Sequence, residues 1–79
     1  DYPVLIQKTK HGSNHTFIDL YWENKNFSMP IEVYYNSNTG LRQRKLSLTN
    51  KPTMIAIPHH NKIKIDPNRK ILLTVKNKS

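Results

Sequence analysis

Apolar residues in this chain recur at every second position, in short runs broken by Asn, Gly and Pro. A two-residue period belongs to an extended strand with one buried face, because successive side chains point to opposite sides. The alternation predicts strands over 4–9, 15–22, 30–35, 41–49, 53–58, 62–66 and 71–75. Thr16, Ile18, Leu20 and Trp22 share one face of the second run, with Phe17, Asp19 and Tyr21 on the other. Ile31, Val33 and Tyr35 alternate with Glu32 and Tyr34 in the third. Leu46 and Leu48 point together, with Arg42 and Arg44 on the same side nearer a hairpin. Ile55 and Ile57 are in phase, as are Ile63 and Ile65. Val4, Ile6 and Lys8 share a face of the first run. Trp22 is expected to anchor the core, its indole nitrogen reaching a carbonyl or water.

The breaks are turn chemistry. Residues 36–40, with two asparagines and Gly40, form the strongest hairpin signal, since Asn and Gly accept left-handed backbone angles. Pro3, Pro58 and Pro67 stand at strand boundaries, where a missing N–H does no harm. The segments 10–14, 23–26, 50–52, 59–61 and 66–68 read as further turns, and the tail 76–79 as frayed. No run carries a helical stripe, and the β-branched content argues against one. The expected fold is all-β: an immunoglobulin-like β-sandwich of about seven strands.

Length bounds this to one domain with a thin core, 79 residues in all. There is no cysteine, which excludes a disulfide-stapled fold. No apolar run approaches the roughly 20 residues of a membrane-spanning helix. The net charge of +8 can steer anionic partners. The cations are spread over nearly every segment, so a solvated surface is the plain reading. Arg42, Arg44 and Lys45 form the densest group and are the candidate anion site.

Catalytic chemistry is thin. The five carboxylates are Asp1, Asp19, Glu23, Glu32 and Asp66, and no two are spaced as an acid–base pair. His11 and His15 have the spacing of a zinc-peptidase pair, but Gly12, Ser13 and Asn14 between them make a turn, without the needed glutamate. His59 and His60 are adjacent and would diverge on a strand. Gly12 and Gly40 are the only glycines, too few for a phosphate-cradling loop. Phe17, Tyr21, Tyr34 and Tyr35 are candidates for a stacking platform, though core packing is the commoner use of aromatics. Asn14, Asn26 and Asn77 open triplets with the form of glycosylation sequons.

Three pieces then stand in a familiar order: Asp1-Tyr2-Pro3-Val4-Leu5; Leu20-Tyr21-Trp22 with Phe27-Ser28-Met29-Pro30-Ile31-Glu32-Val33; and Ile63-Lys64-Ile65-Asp66-Pro67 followed by Ile71-Leu72. Together they resemble the small Ig-like β-sandwich domain that follows the thermolysin-like catalytic domain in alanyl-aminopeptidase-like zinc metallopeptidases, a gluzincin family. Asp1 stands where that family usually has glycine. The resemblance implies a single accessory domain over 1–79, excised from a larger chain. It implies a structural role between domains, with no catalysis by this piece. Zinc is implied for the parent enzyme and no cofactor for this chain. Neighbouring domains of the same polypeptide are the implied partners, contacted through an exposed apolar strip that includes Phe27, Met29 and Tyr35. A membrane or nucleic-acid partner is not expected. The alternative is an independent Ig-like module that binds glycan, nucleic acid or an acidic protein surface.

Overall fold

The computed structural model describes residues 2–59 and 61–78. Asp1 of the first quoted segment, His60 of the 59–61 turn and Ser79 of the last sequon lie outside them. Seven strands form: β1 (Val4–His11), β2 (His15–Trp22), β3 (Met29–Ser37), β4 (Gly40–Leu48), β5 (Thr53–Pro58), β6 (Ile63–Ile65) and β7 (Thr74–Lys78). They make two sheets, one ordered β5-β2-β1-β7 and the other β4-β3-β6. The architecture is the all-β, immunoglobulin-like sandwich that the alternation predicts.

The two inner faces supply the core. Leu5, Ile18, Leu20, Trp22, Ile55 and Ile57 from the larger sheet meet Ile31, Val33, Leu46 and Leu48 from the smaller one. Register does this. Pairing Leu5 with Trp22 places Leu5 on the inner face, so Val4, Ile6 and Lys8 share the outer one. Ile6 is nonetheless only 1% exposed, flanked across the strands by Tyr21 and Lys76. Trp22 is fully buried; its Nε1–H donates to the Met29 carbonyl at 3.0 Å, and Phe27 packs edge-on against its ring at 5.0 Å. The β3–β4 hairpin closes between Ser37 and Gly40, with Gly40 at φ 115° and the Ser37 hydroxyl donating to its carbonyl at 2.9 Å.

Only β2 and β5 keep both expected bounds; β3 and β4 shift by one or two residues at each end, and three larger or more consequential changes have a clear cause. β1 runs on to His11 because Lys10 and His11 find partners in Phe17 and Thr16. β6 stops at Ile65 because Asp66 turns to φ 44°, outside any strand geometry. The last strand begins at Thr74, not at residue 71. Ile71 and Leu73 are half-buried against the core while the chain crosses from one sheet to the other. The Thr74 N–H then donates to the Pro3 carbonyl at 3.0 Å and starts a parallel ladder with β1. Residues 76–78, expected to fray, are therefore strand. The last strand has joined β1 and left β6 as a free edge.

Candidate interaction surface

The residues singled out in the sequence separate once folded. Tyr35 continues the inner face of Ile31 and Val33, is 9% exposed and belongs to the core. Phe27 and Met29 are half-buried, the one against Trp22 and the other supplying the carbonyl that Trp22 uses. An exposed strip of these three does not exist, because their phase and the Trp22 contact turn them inward. The basic trio also divides. Arg42 and Arg44 stand opposite Tyr35 and Val33, on the core-side face of β4 where it runs past the core. Lys45 stands opposite Glu32 and faces the other way. Period two splits them, so the trio is not one anion site.

The aromatic candidates do not form one platform either. Phe17 and Tyr21 lie on the outer face of the larger sheet, Tyr34 on the outer face of the smaller one. Phe17 shares a depression of about 480 Å³ with Lys8, Lys10, Asp19 and Met54. Tyr34 accepts a hydrogen bond from the Asn68 amide at 3.3 Å. Near the β1–β2 turn two of the described histidines meet one another, and one of them meets a hydroxyl. His11 Nδ1 lies 3.3 Å from the Thr16 hydroxyl, and its ring meets His59 edge-on at 6.2 Å. Among the described residues no three His, Asp or Glu side chains converge to hold a metal ion.

The tightest electrostatic group surrounds Glu32. Lys70 Nζ lies 2.7 Å from its Oε1, and the Gln43 amide donates to its Oε2 at 3.0 Å. The hydrogen bond from Lys70, then that from Gln43, holds the Glu32 carboxyl below its usual range. The same contact with Glu32 raises the Lys70 ammonium above its own. Close by, the Asp66 N–H donates to the Glu32 carbonyl at 2.8 Å. The Asp66 carboxylate in turn accepts from the backbone N–H of Lys70 at 3.1 Å and of Ile71 at 2.9 Å. This knot fixes where the chain leaves β6 and starts toward β7.

Beside the knot lies a surface on which apolar residues adjoin Lys64, Asp66 and Arg69. A depression of about 680 Å³ has half-buried Ile65, Ile71 and Leu73 in its wall, with Tyr2 and Leu72 at its rim. Tyr2 is 58% exposed and Leu72 69%. The Thr74–Pro3 hydrogen bond brings these two segments together. Compared with known proteins, the chain matches no family model, no curated protein and no solved structure.

Sequence reasoning missed Tyr2 and Leu72. The signal was there for Leu72. Ile71, Leu72 and Leu73 are three apolar residues in succession, and no extended segment can bury all three on one face. One of them had to point away. Tyr2 carried no such mark, because its neighbours depend on where β7 lands.

Proposed function

We propose that this chain is a noncatalytic accessory sandwich that packs against a neighbouring domain, of the kind that follows the catalytic domain in alanyl-aminopeptidase-like zinc peptidases. The observation that carries the reading is the pair of exposed side chains, Tyr2 and Leu72, at the rim of a depression whose wall includes Ile65, Ile71 and Leu73. Two large side chains held open to water beside a half-buried apolar wall gain by being covered. Interfaces between domains of one chain commonly bury about 600–1,500 Å², and a patch of this kind supplies the centre of one. The resemblance adds support. Its first and last pieces meet here, since Tyr2 lines the same depression as Ile65, Asp66, Pro67, Ile71 and Leu72.

The test compares the 79-residue chain with the same chain carrying the flanking coding sequence of its gene. Leu72→Ser and Tyr2→Ser are expected to shift the stability of the short chain by no more than about 0.5 kcal/mol, as exposed substitutions do. In the longer protein they should lower the unfolding midpoint and loosen the domains, read by limited proteolysis. Zinc-dependent hydrolysis of an aminoacyl substrate by the purified short chain would sink the reading. So would flanking sequence that encodes no further domain.

A further inference from the structure

We infer that the free edge of β6 is a strand-docking site for an extended segment of the neighbouring domain in which acidic and apolar residues alternate. The inference rests on the packing role proposed above and names how the partner is gripped.

The topology supplies the vacancy. Among the described residues β6 pairs only with β3, and β7 has gone to the other sheet. The smaller sheet is thus one strand narrower than the larger. Inner-face residues of the larger sheet on that side are left partly open. Gln7 and Thr9 of β1 line a second depression of about 430 Å³, which reaches Ile63 of β6. Val75 of β7 shares the inner face of Leu5, its neighbour across the ladder, yet is 37% exposed. The two depressions lie against the two ends of β6, one touching Ile63 and the other Lys64 and Ile65. An added strand beside β6 would run past both.

Side-chain phase sets the chemistry of that strand. Ile63 and Ile65 stand opposite Tyr35 and Val33 and face the core, whereas Lys64 stands opposite Tyr34 and faces out. Residues of the incoming strand alternate in the same way. Those turned inward sit beside Ile63 and Ile65, over the depressions, and are apolar. Those turned outward sit beside Lys64, with Lys62 and Arg69 lining the same depressions, and are acidic. Among the described residues the only carboxylate lining either depression is Asp66, and it is engaged by the backbone of Lys70 and Ile71. A second copy of this chain is a poor occupant, since each copy carries +8. A short edge strand bearing an exposed lysine resists self-pairing while remaining open to a strand of opposite charge.

The probe is a synthetic nine-residue peptide alternating valine with glutamate, and its control replaces glutamate by lysine. Binding to the full chain is read by fluorescence anisotropy, and its location by backbone amide shifts and hydrogen exchange. The glutamate peptide should bind and protect amides within residues 61–66. The lysine peptide should bind at least about tenfold more weakly, and Lys64→Glu should invert the preference. Lys64 is exposed, so that variant is expected to fold, and its unfolding midpoint checks this. No binding of the glutamate peptide at low salt overturns the inference. So do shifts centred on Lys8 and Lys10, self-association through β6, or stronger protection of 61–66 by an oligonucleotide or an anionic vesicle. Lys64→Glu leaves Tyr2 and Leu72 in place, so failure here is separable from failure of the packing role.

Discussion

Trp22 concentrates more of the fold than any other residue. It is fully buried, it donates a hydrogen bond to the carbonyl of Met29, the first residue of β3, and Phe27 packs edge-on against it. Trp22→Ala should cost about 3–5 kcal/mol, a large share of the stability of so small a domain. Denaturant unfolding followed by circular dichroism reads this. Ile57 and Ile63 make a second comparison. Both alternate correctly in the sequence, but Ile57 is fully buried and Ile63 only half-buried at the β6 edge. Ile57→Ala should fall in the range of about 2–5 kcal/mol, and Ile63→Ala clearly below it. Equal losses would mean that β6 is covered in solution. The period-two pattern made the inward phase of all these residues legible. It could not grade them, because burial depends on whether another strand lies beyond. Tyr35 shows the opposite error: its phase with Ile31 and Val33 already placed it inside, and treating it as surface ignored that phase.

At the level of elements, the turn after β6 decides where the chain goes next. Asp66 holds a left-handed backbone angle while its carboxylate satisfies two N–H groups. Asp66→Ala should cost about 1–3 kcal/mol by leaving those donors unmatched, and should weaken the Glu32–Lys70 contact with it. That contact has its own signature. The folded state holds the Glu32 pKa below its ordinary value of 4.5, so its stabilisation is full above that value. It is lost as pH falls through the lowered folded pKa. Lys70 has the opposite sign: its contribution is full below its ordinary 10.5 and is lost as pH rises through the raised folded pKa. Stability measured from pH 7 downward should therefore decline below about 4.5, and Glu32→Gln should flatten the decline. Lys70 is 63% exposed, so high salt should also shrink the effect. None of this was legible beforehand. Glu32 read as an outward strand residue, which it is, but its partner lies 38 positions along the chain and arrives only through the Asp66 turn. The β7 partner was hidden for the same reason. A strand pattern says that an edge must be filled, not which edge. A stop after Val75 should expose Ile6 and lower the thermal midpoint, contrary to the behaviour of a frayed tail.

On the scale of the whole molecule, the surplus of eight positive charges is the long-range feature of the surface. The sandwich measures 36 × 24 × 16 Å, and its outer faces both carry lysines: Lys8 and Lys10 on one, Lys45 and Lys64 on the other. Faces this close repel each other at low ionic strength, when the screening length is about 30 Å at 0.01 M, and cease to do so near 1 M, when it is about 3 Å. The ion pairs Lys70–Glu32 and Lys76–Glu23 pull the other way, but both are partly solvated, so each contributes modestly and is itself screened by salt. Repulsion among a surplus of eight positive charges should outweigh them. Raising sodium chloride should therefore raise the thermal midpoint, and a gain of about 1 kcal/mol would appear as about 4–8 °C in a domain of this size. The same surplus should give single-stranded DNA a weak affinity that disappears steeply with salt, without preference for base. An affinity that persisted in high salt would point to base stacking on Phe17 or Tyr34 and would favour a binding module over a packing one. If the midpoint instead falls as salt is added, the ion pairs outweigh the repulsion. The basic surface would then be balanced within the fold and would not require an acidic partner to neutralise it.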